Sequence, residues 1–251
     1  MIVLGFDTST HATGVALVMD DRDVLRERDD PPAGAHPGHA TRLLAMAADL
    51  LSRAGVGWGD VERVAVGLGP GRFTGLRVGV ATARGLAQSL ATELVGVSSL
   101  QALALPALRD GDGPRPVLAV IDALRGEVFA AGFEAAIDTP LSALSIAGTL
   151  APDELASRLE QPGVAEGSWL AVGDGAVRYR AELSAAGASV PADESPLHLV
   201  DAGAVCELGA HVAPVRRVEE LLPDYRRRPD AELRPRAAAP IALAGPSEAR
   251  R

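Results

Sequence analysis

The chain has 251 residues, 47% of them apolar and only 3% aromatic, with a formal net charge of −9 at pH 7. That length suits one large domain or two compact halves, and the acidic balance with few rings leaves no basic stripe or stacking platform for an autonomous nucleic-acid binder. All 24 basic residues are arginines, which excludes a Walker A loop, a lysine Schiff base and the lysine of a kinase strand.

Residues 2–6 form a short apolar run ending at Asp7, and residues 13–19 form another, with the polar turn "DTSTHA" between them. This predicts a hairpin of buried strands. A third strand is predicted over 23–27. "PGHATRLLAMAADLLSRAG" then places Leu43, Ala47, Leu50, Leu51 and Ala54 on one helical face, with Pro37 near the start and Gly55 as a stop, giving a helix over about 37–54. Residues 63–67 read as a strand. "GLGPGRFTGLRVGVATARGLA" follows, with Gly67, Gly69 and Gly71 marking a tight turn into a helix of about 74–91. "LVGVSS" and a helix from about residue 100 complete a first half, 1–108.

The Gly/Pro-rich "RDGDGPRP" at 109–116 suits a boundary, opening a second half over 109–225. Its start, "VLAVIDALRGEVFAAGF", repeats the plan of "VLGFDTSTHATGVALV", an apolar strand ending in an acid, a turn and a second apolar strand, which suggests duplication. Helices over about 152–160, 178–186 and 202–212 alternate with short β-rich runs such as "WLAVGDGA", and the last is expected to pack back on the first half. The pattern is α/β. Residues 226–251 carry seven arginines against three acids, lack periodicity, and read as a disordered tail or, alternatively, a phosphate-contacting arm. Cys206 in "DAGAVCELGAHV" reads as a buried helical thiol. No apolar run reaches membrane-spanning length and "MIVLGFD" lacks signal-peptide character, so a cytoplasmic location is expected.

Three acids end strands or open turns: Asp7 with Thr8 and Ser9, Asp122 before "ALRG", and Asp174 in "VGDGA". Acids so placed hold nucleotide phosphates and magnesium in the actin, hexokinase and Hsp70 superfamily; alternatively, Asp7, Thr8 and Ser9 only satisfy a tight turn with their short side chains. His36 and His39 are close in sequence but form no HxxxH pair, so no metal site is expected, and no GxSxG elbow is present. Within the second helix Gly75, Gly79, Ala83 and Ala87 recur every four residues as one smooth stripe. An interior helical glycine costs about 1 kcal/mol relative to alanine, so something must approach the backbone closely. That is either the chain's own structure or a partner's helix lying between Leu76, Val80 and Leu86.

"MIVLGFDTSTHATGVALV", "VAVGLGPGRFTGLRVGVATARGLA", "GVSSLQALA" and "VIDALRGEVFAAGF" resemble, in order and spacing, the bacterial TsaB (YeaZ) family. The likeness continues weakly through "AVGDGA" to "LLPDYRRRPDAE", where Tyr225 is followed by Arg226 and Arg227 rather than by Leu-Arg. It implies an actin/hexokinase/Hsp70-like fold of two RNase H-like halves, each a mixed sheet flanked by helices. It further implies a non-catalytic subunit that binds TsaD, and with it the ATPase TsaE, in threonylcarbamoylation of the adenosine beside the anticodon of tRNAs reading codons that start with A. Cofactors would be none of its own, ATP and metal being used by the partners, and tRNA would be met only through the complex. The expected docking residues are Leu43, Ala47, Leu50, Gly75, Leu76, Gly79, Val80, Ala83 and Ala87, and in isolation the same face would pair with itself. The alternative is a stand-alone ATPase or phosphotransferase using Asp7 and Asp122, with Thr8, Ser9 and Asp174 completing a phosphate site.

Overall fold

A computed structural model describes residues 1–19, 24–32, 34–109, 115–136, 141–159 and 168–226. Residue 23 of the expected third strand, residue 160 of an expected helix, most of the boundary loop and the tail from residue 227 lie outside them.

The first sheet comprises β1 (Ile2–Asp7), β2 (Thr13–Met19), β3 (Leu25–Asp29), β4 (Arg63–Gly67) and β5 (Glu93–Val97) in the order β3-β2-β1-β4-β5. β1 pairs antiparallel with β2, from Ile2 opposite Met19 to Asp7 opposite Gly14, and parallel with β4. β1 is central in the sheet and its residues are buried on both faces, so they read as one apolar run rather than an alternation. α1 (His39–Ala54) and α2 (Phe73–Leu90) cover one face, where Leu43, Met46, Ala47, Leu50, Ala83 and Ala87 pack on Leu4, Phe6, Val64 and Val66. α1 stops at Gly55, whose φ of 71° takes the left-handed turn that releases the chain.

The second sheet comprises β6 (Val117–Leu124), β7 (Glu127–Glu134), β8 (Ser142–Leu150) and β9 (Leu170–Val172), in the order β8-β7-β6-β9. Each half therefore begins with a strand that is antiparallel to its successor and parallel to a later strand. The internal duplication suggested by two strand pairs extends to the topology of both sheets. α3 (Ser99–Arg109) and α7 (Ala202–Ala210) lie between the sheets: one core joins Val3, Ala16 and Ala65 to Val117, Ala119 and Ile121 through Leu103, Val205 and Cys206. α4 (Pro152–Leu159), α5 (Asp174–Arg178) and α6 (Arg180–Ala185) cover the outer face of the second sheet, with Leu155, Ala176 and Leu183 on Leu118 and Val120.

α7 is tied to the first sheet by Arg63, which pairs with Glu93 at 2.5 Å and donates to the carbonyls of Gly209 at 2.7 Å and Ala210 at 3.2 Å at the helix C-terminus. Cys206 on α7 is buried, and burial drives its thiol pKa far upward, which keeps it protonated. After α7 the chain crosses onto α2. Val215 donates to the Leu94 carbonyl, Arg84 donates to the carbonyls of Glu219 and Leu221, and Asp224 donates to the Leu68 carbonyl. Among the described residues no helix is long and apolar enough to cross a membrane.

Two differences from the sequence reading have plain causes. β8, "SALSIAGTL", was not anticipated, because its small residues carry little strand propensity and its pairing with β7 is interrupted by a register shift. The helix expected over 178–186 is α6 alone; α5 precedes it on residues read as the end of the β-rich run "WLAVGDGA", and Tyr179, where the backbone (φ −112°, ψ 35°) leaves the helical region, separates the two.

Candidate functional site

The turn after β1 is closed by its own side chains. The Asp7 carboxylate accepts from Ser9 N at 2.8 Å, Ser9 Oγ at 2.6 Å and Ser99 Oγ at 2.5 Å, and Ser99 Oγ in turn accepts from Gly69 N at 3.1 Å. Both carboxylate oxygens are thus engaged, and Asp7 is 3% exposed. Thr8 Oγ1 donates to the Gly75 carbonyl at 2.8 Å, and Arg72 N donates to the Ser9 carbonyl at 2.7 Å.

The glycines of the strand-to-helix segment receive this turn one by one. A Cβ on Gly67 would collide with the Asp7 carboxylate, on Gly71 with the Ser9 carbonyl, on Gly75 with the Thr8 carbonyl, and on Gly79 with the Thr8 hydroxyl. The glycines of the small-residue stripe are occupied by the chain's own Thr8, while Asp7 and Ser9 fill the space beside Gly67 and Gly71. Its continuation, Ala83 and Ala87, packs into the core beneath α2.

All nine residues expected at a partner interface are buried within this chain: Leu43, Ala47 and Leu50 beneath α1, and Gly75, Leu76, Gly79, Val80, Ala83 and Ala87 beneath α2. Helical periodicity identified the faces correctly as apolar and small, but such faces are the ones a helix turns toward its own sheet. The outward faces carry Leu44, Ala45 and Ala48 on α1 and Val78, Ala81 and Gly85 on α2. Leu44 is 46% exposed, and a Cβ on Gly85 would meet nothing within 4 Å. Gly85 is a mid-helix glycine with no internal reason for its size.

The other two acids form a second knot. Asp122 N donates to Asp174 Oδ1 at 2.9 Å, Leu124 N donates to Asp122 Oδ1 at 2.9 Å, and Arg178 Nη1 pairs with Asp122 Oδ2 at 2.7 Å. The hairpin beyond turns through Leu124, Arg125 and Gly126 at φ 63°, 56° and 80°. Asp174 is open to solvent, yet the protein crowding its carboxyl, aided by the charge of Asp122, pushes its pKa upward.

Beside the first turn, His39 is buried and shares a 2.8 Å hydrogen bond between Nδ1 and Thr13 Oγ1. Burial lowers its pKa, with Asp7 opposing and His11 and Arg72 reinforcing the shift. The two ring nitrogens of His11 are buried with no hydrogen-bond partner among the described residues. Neither histidine carried a sequence signal beyond its position, and His36 is not part of the cluster. Among the described residues no three His, Cys, Asp or Glu side chains converge as a metal site would require. A cavity of about 730 Å³ lies elsewhere, lined by Val18, Val24, Leu105, Leu197, Leu199 and Cys206.

Two RNase H-like halves stacked on shared helices, each with an acid at or near the end of its first strand, define a chain of the actin/hexokinase/Hsp70-like fold. Residues 31–193 match the family model described as TsaD, tRNA N6-adenosine threonylcarbamoyltransferase. The chain is 35% identical over 175 residues to the tRNA threonylcarbamoyladenosine biosynthesis protein TsaB of Escherichia coli, covering 70% of this chain and 72% of that one. It is also 35% identical over 231 residues to an uncharacterized protein of Mycobacterium tuberculosis, covering 92% and 93%. The solved structure of YeaZ from Pseudomonas aeruginosa superposes with a TM-score of 0.74 at 30% identity, over 89% of this chain and 99% of that one. The chain belongs to the TsaB (YeaZ) family, among the TsaD-like chains that the model describes.

Proposed function

We propose that the chain is an accessory, non-catalytic subunit in formation of threonylcarbamoyladenosine on tRNA, docking on a TsaD-type transferase and, with it, on TsaE. The observation that carries the non-catalytic part is the closure of the first turn: Asp7 is spent on Ser9 and Ser99, and the glycines before and within α2 hold that turn rather than a phosphate. The process comes from the names of the relatives. ATP and metal belong, in this reading, to the partner subunits.

Docking is assigned to the outward faces of α1 and α2, where exposed Leu44 and the open backbone at Gly85 offer apolar area and close approach. The same face makes a homodimer when the partner is missing. The test is co-purification of the chain with the TsaD and TsaE of its own organism, for the wild type and for Gly85→Trp. Loss of the complex in a variant that melts like the wild type supports the reading. An unaffected complex removes these faces from it. A stand-alone phosphotransferase using Asp7 and Asp122 is the competing reading, and no free carboxylate edge at either acid favours it.

A further inference from the structure

Where the C-terminal segment crosses α2, three side chains stack at the surface. The Phe73 and Tyr225 rings lie 5.2 Å apart and tilted by 39°, the Arg77 guanidinium carbon sits 3.9 Å over the Phe73 ring, and Arg77 Nε donates to Tyr225 Oη at 3.2 Å. The crossing does not need this stack. Leu221 is buried, Arg84 holds the carbonyls of Glu219 and Leu221, and Asp224 N is bonded to the Leu68 carbonyl. Tyr225 nonetheless stays 44% exposed and the adjoining Leu222 65% exposed.

Charge points the same way. Across an acidic protein, Arg26, Arg28, Arg42, Arg53 and Arg63 each have a carboxylate partner. Arg77, near the start of α2, has none within ion-pair distance among the described residues, whereas Arg226, next to Tyr225, is paired with Asp224 at 2.9 Å. The sequence continues from Tyr225 as "RRRPDAELRPR", and residues 226–251 carry +4 within a chain of −9. Stacked rings with an edge to solvent and a planar cation over one of them suit a strand of nucleic acid, whose bases stack and whose phosphates meet cations. A mononucleotide would call for an enclosing pocket, and the cavity described above lies elsewhere, beside α7.

We propose that Phe73, Arg77 and Tyr225 form a contact for an unpaired stretch of the tRNA, one base stacking on the exposed Tyr225 ring and a flanking phosphate meeting Arg77. This rests on the assignment of the chain to tRNA modification; Arg77 stands one and two turns before Ala81 and Gly85, so the patch adjoins the docking face of α2 at its N-terminal end.

The test is titration of an unmodified, fluorescently labelled tRNA transcript at several salt concentrations, with the full chain alone and again with its transferase partner. Tyr225→Ala and Arg77→Ala are expected to weaken binding about tenfold or more at unchanged melting temperature. Arg77→Lys is expected to retain the wild-type salt slope while recovering only part of the affinity, because it keeps the charge and loses the planar stack. Photocrosslinking of 4-thiouridine-substituted tRNA to the wild type reads the same contact without any variant, with crosslinks expected at Phe73 or Tyr225. Wild-type affinity in folded variants, no RNA binding in either format, or crosslinks only elsewhere would overturn the proposal. Variants that lose co-purification but keep RNA affinity mark the patch as a protein interface and overturn it too. Undiminished co-purification of Gly85→Trp, with RNA binding reduced in Tyr225→Ala and Arg77→Ala, strikes the docking assignment alone.

Discussion

The Thr8 hydroxyl donates to the Gly75 carbonyl at 2.8 Å and stands where a Cβ on Gly79 would have to be. One side chain thus sets the size of one helical residue and bonds the backbone of another a turn earlier. Gly79→Ala is expected to push Thr8 aside and cost about 1–3 kcal/mol. Thr8→Ala removes a single buried hydrogen bond, about 1 kcal/mol. The double variant frees the space that the new methyl needs, so its cost should fall below the sum of the two by at least about 0.5 kcal/mol. Chemical denaturation of the four proteins gives the coupling; strict additivity would mean that Gly79 is small for another reason.

Gly85 has the opposite character, since a Cβ there meets open space. Gly85→Ala should therefore stabilise the isolated chain by about 0.5–1 kcal/mol, a rise of a few degrees in melting temperature. Under the docking assignment the same methyl weakens the complex with the transferase subunit, and a larger side chain abolishes it. Differential scanning calorimetry and co-purification on one set of variants separate the two effects. A stabilised variant with an undiminished complex would leave Gly85 without a role in docking.

The contrast between Gly79 and Gly85 also shows what the sequence could convey. Strand runs, helix faces, the Gly55 stop and the repeated strand pair follow from local periodicity and turn chemistry, and each has its counterpart in the fold. The direction of a small-residue face is a different matter. Gly75 and Gly79 are small because Thr8, some seventy residues earlier, packs there, and no local pattern records a contact of that separation. The same holds for Asp7, whose third hydrogen bond comes from Ser99. The acids were legible as a group of like position; their engagement by Ser9, Ser99, Leu124 and Arg178 was not.

His39 makes stability depend on pH in one direction. Burial holds its folded-state pKa below the unfolded value of about 6.5, so the unfolded chain takes up the proton first. The contribution is fully present above that value and is lost as pH falls toward the folded-state pKa. Melting temperature should therefore drop between pH 7.5 and pH 5 by more in the wild type than in His39→Gln, which keeps a partner for Thr13 but does not titrate. Parallel curves for the two proteins would assign the acid sensitivity elsewhere.

The second knot of acids offers the sharpest discrimination between the accessory and the phosphotransferase readings. Asp122 spends one carboxylate oxygen on Leu124 N and the other on Arg178, and its own N–H is bonded to Asp174. A magnesium–phosphate group would need at least one of those carboxylate edges, and Arg178, on the exposed side, is the partner that can be removed without opening the core. If the acids are a latent nucleotide site, Arg178→Ala should raise the affinity for ATP with magnesium, and Asp122→Asn on that background should abolish the gain. If they close turns, calorimetry should show no micromolar binding for the wild type, Arg178→Ala or the double variant. The Asp122 change should then appear only as a loss of thermal stability, because the amide keeps an oxygen for Leu124 N but gives up the charge that strengthens that bond and pairs with Arg178. Micromolar binding accompanied by phosphate release from the isolated wild-type chain would instead restore a catalytic role to Asp122 and Asp174.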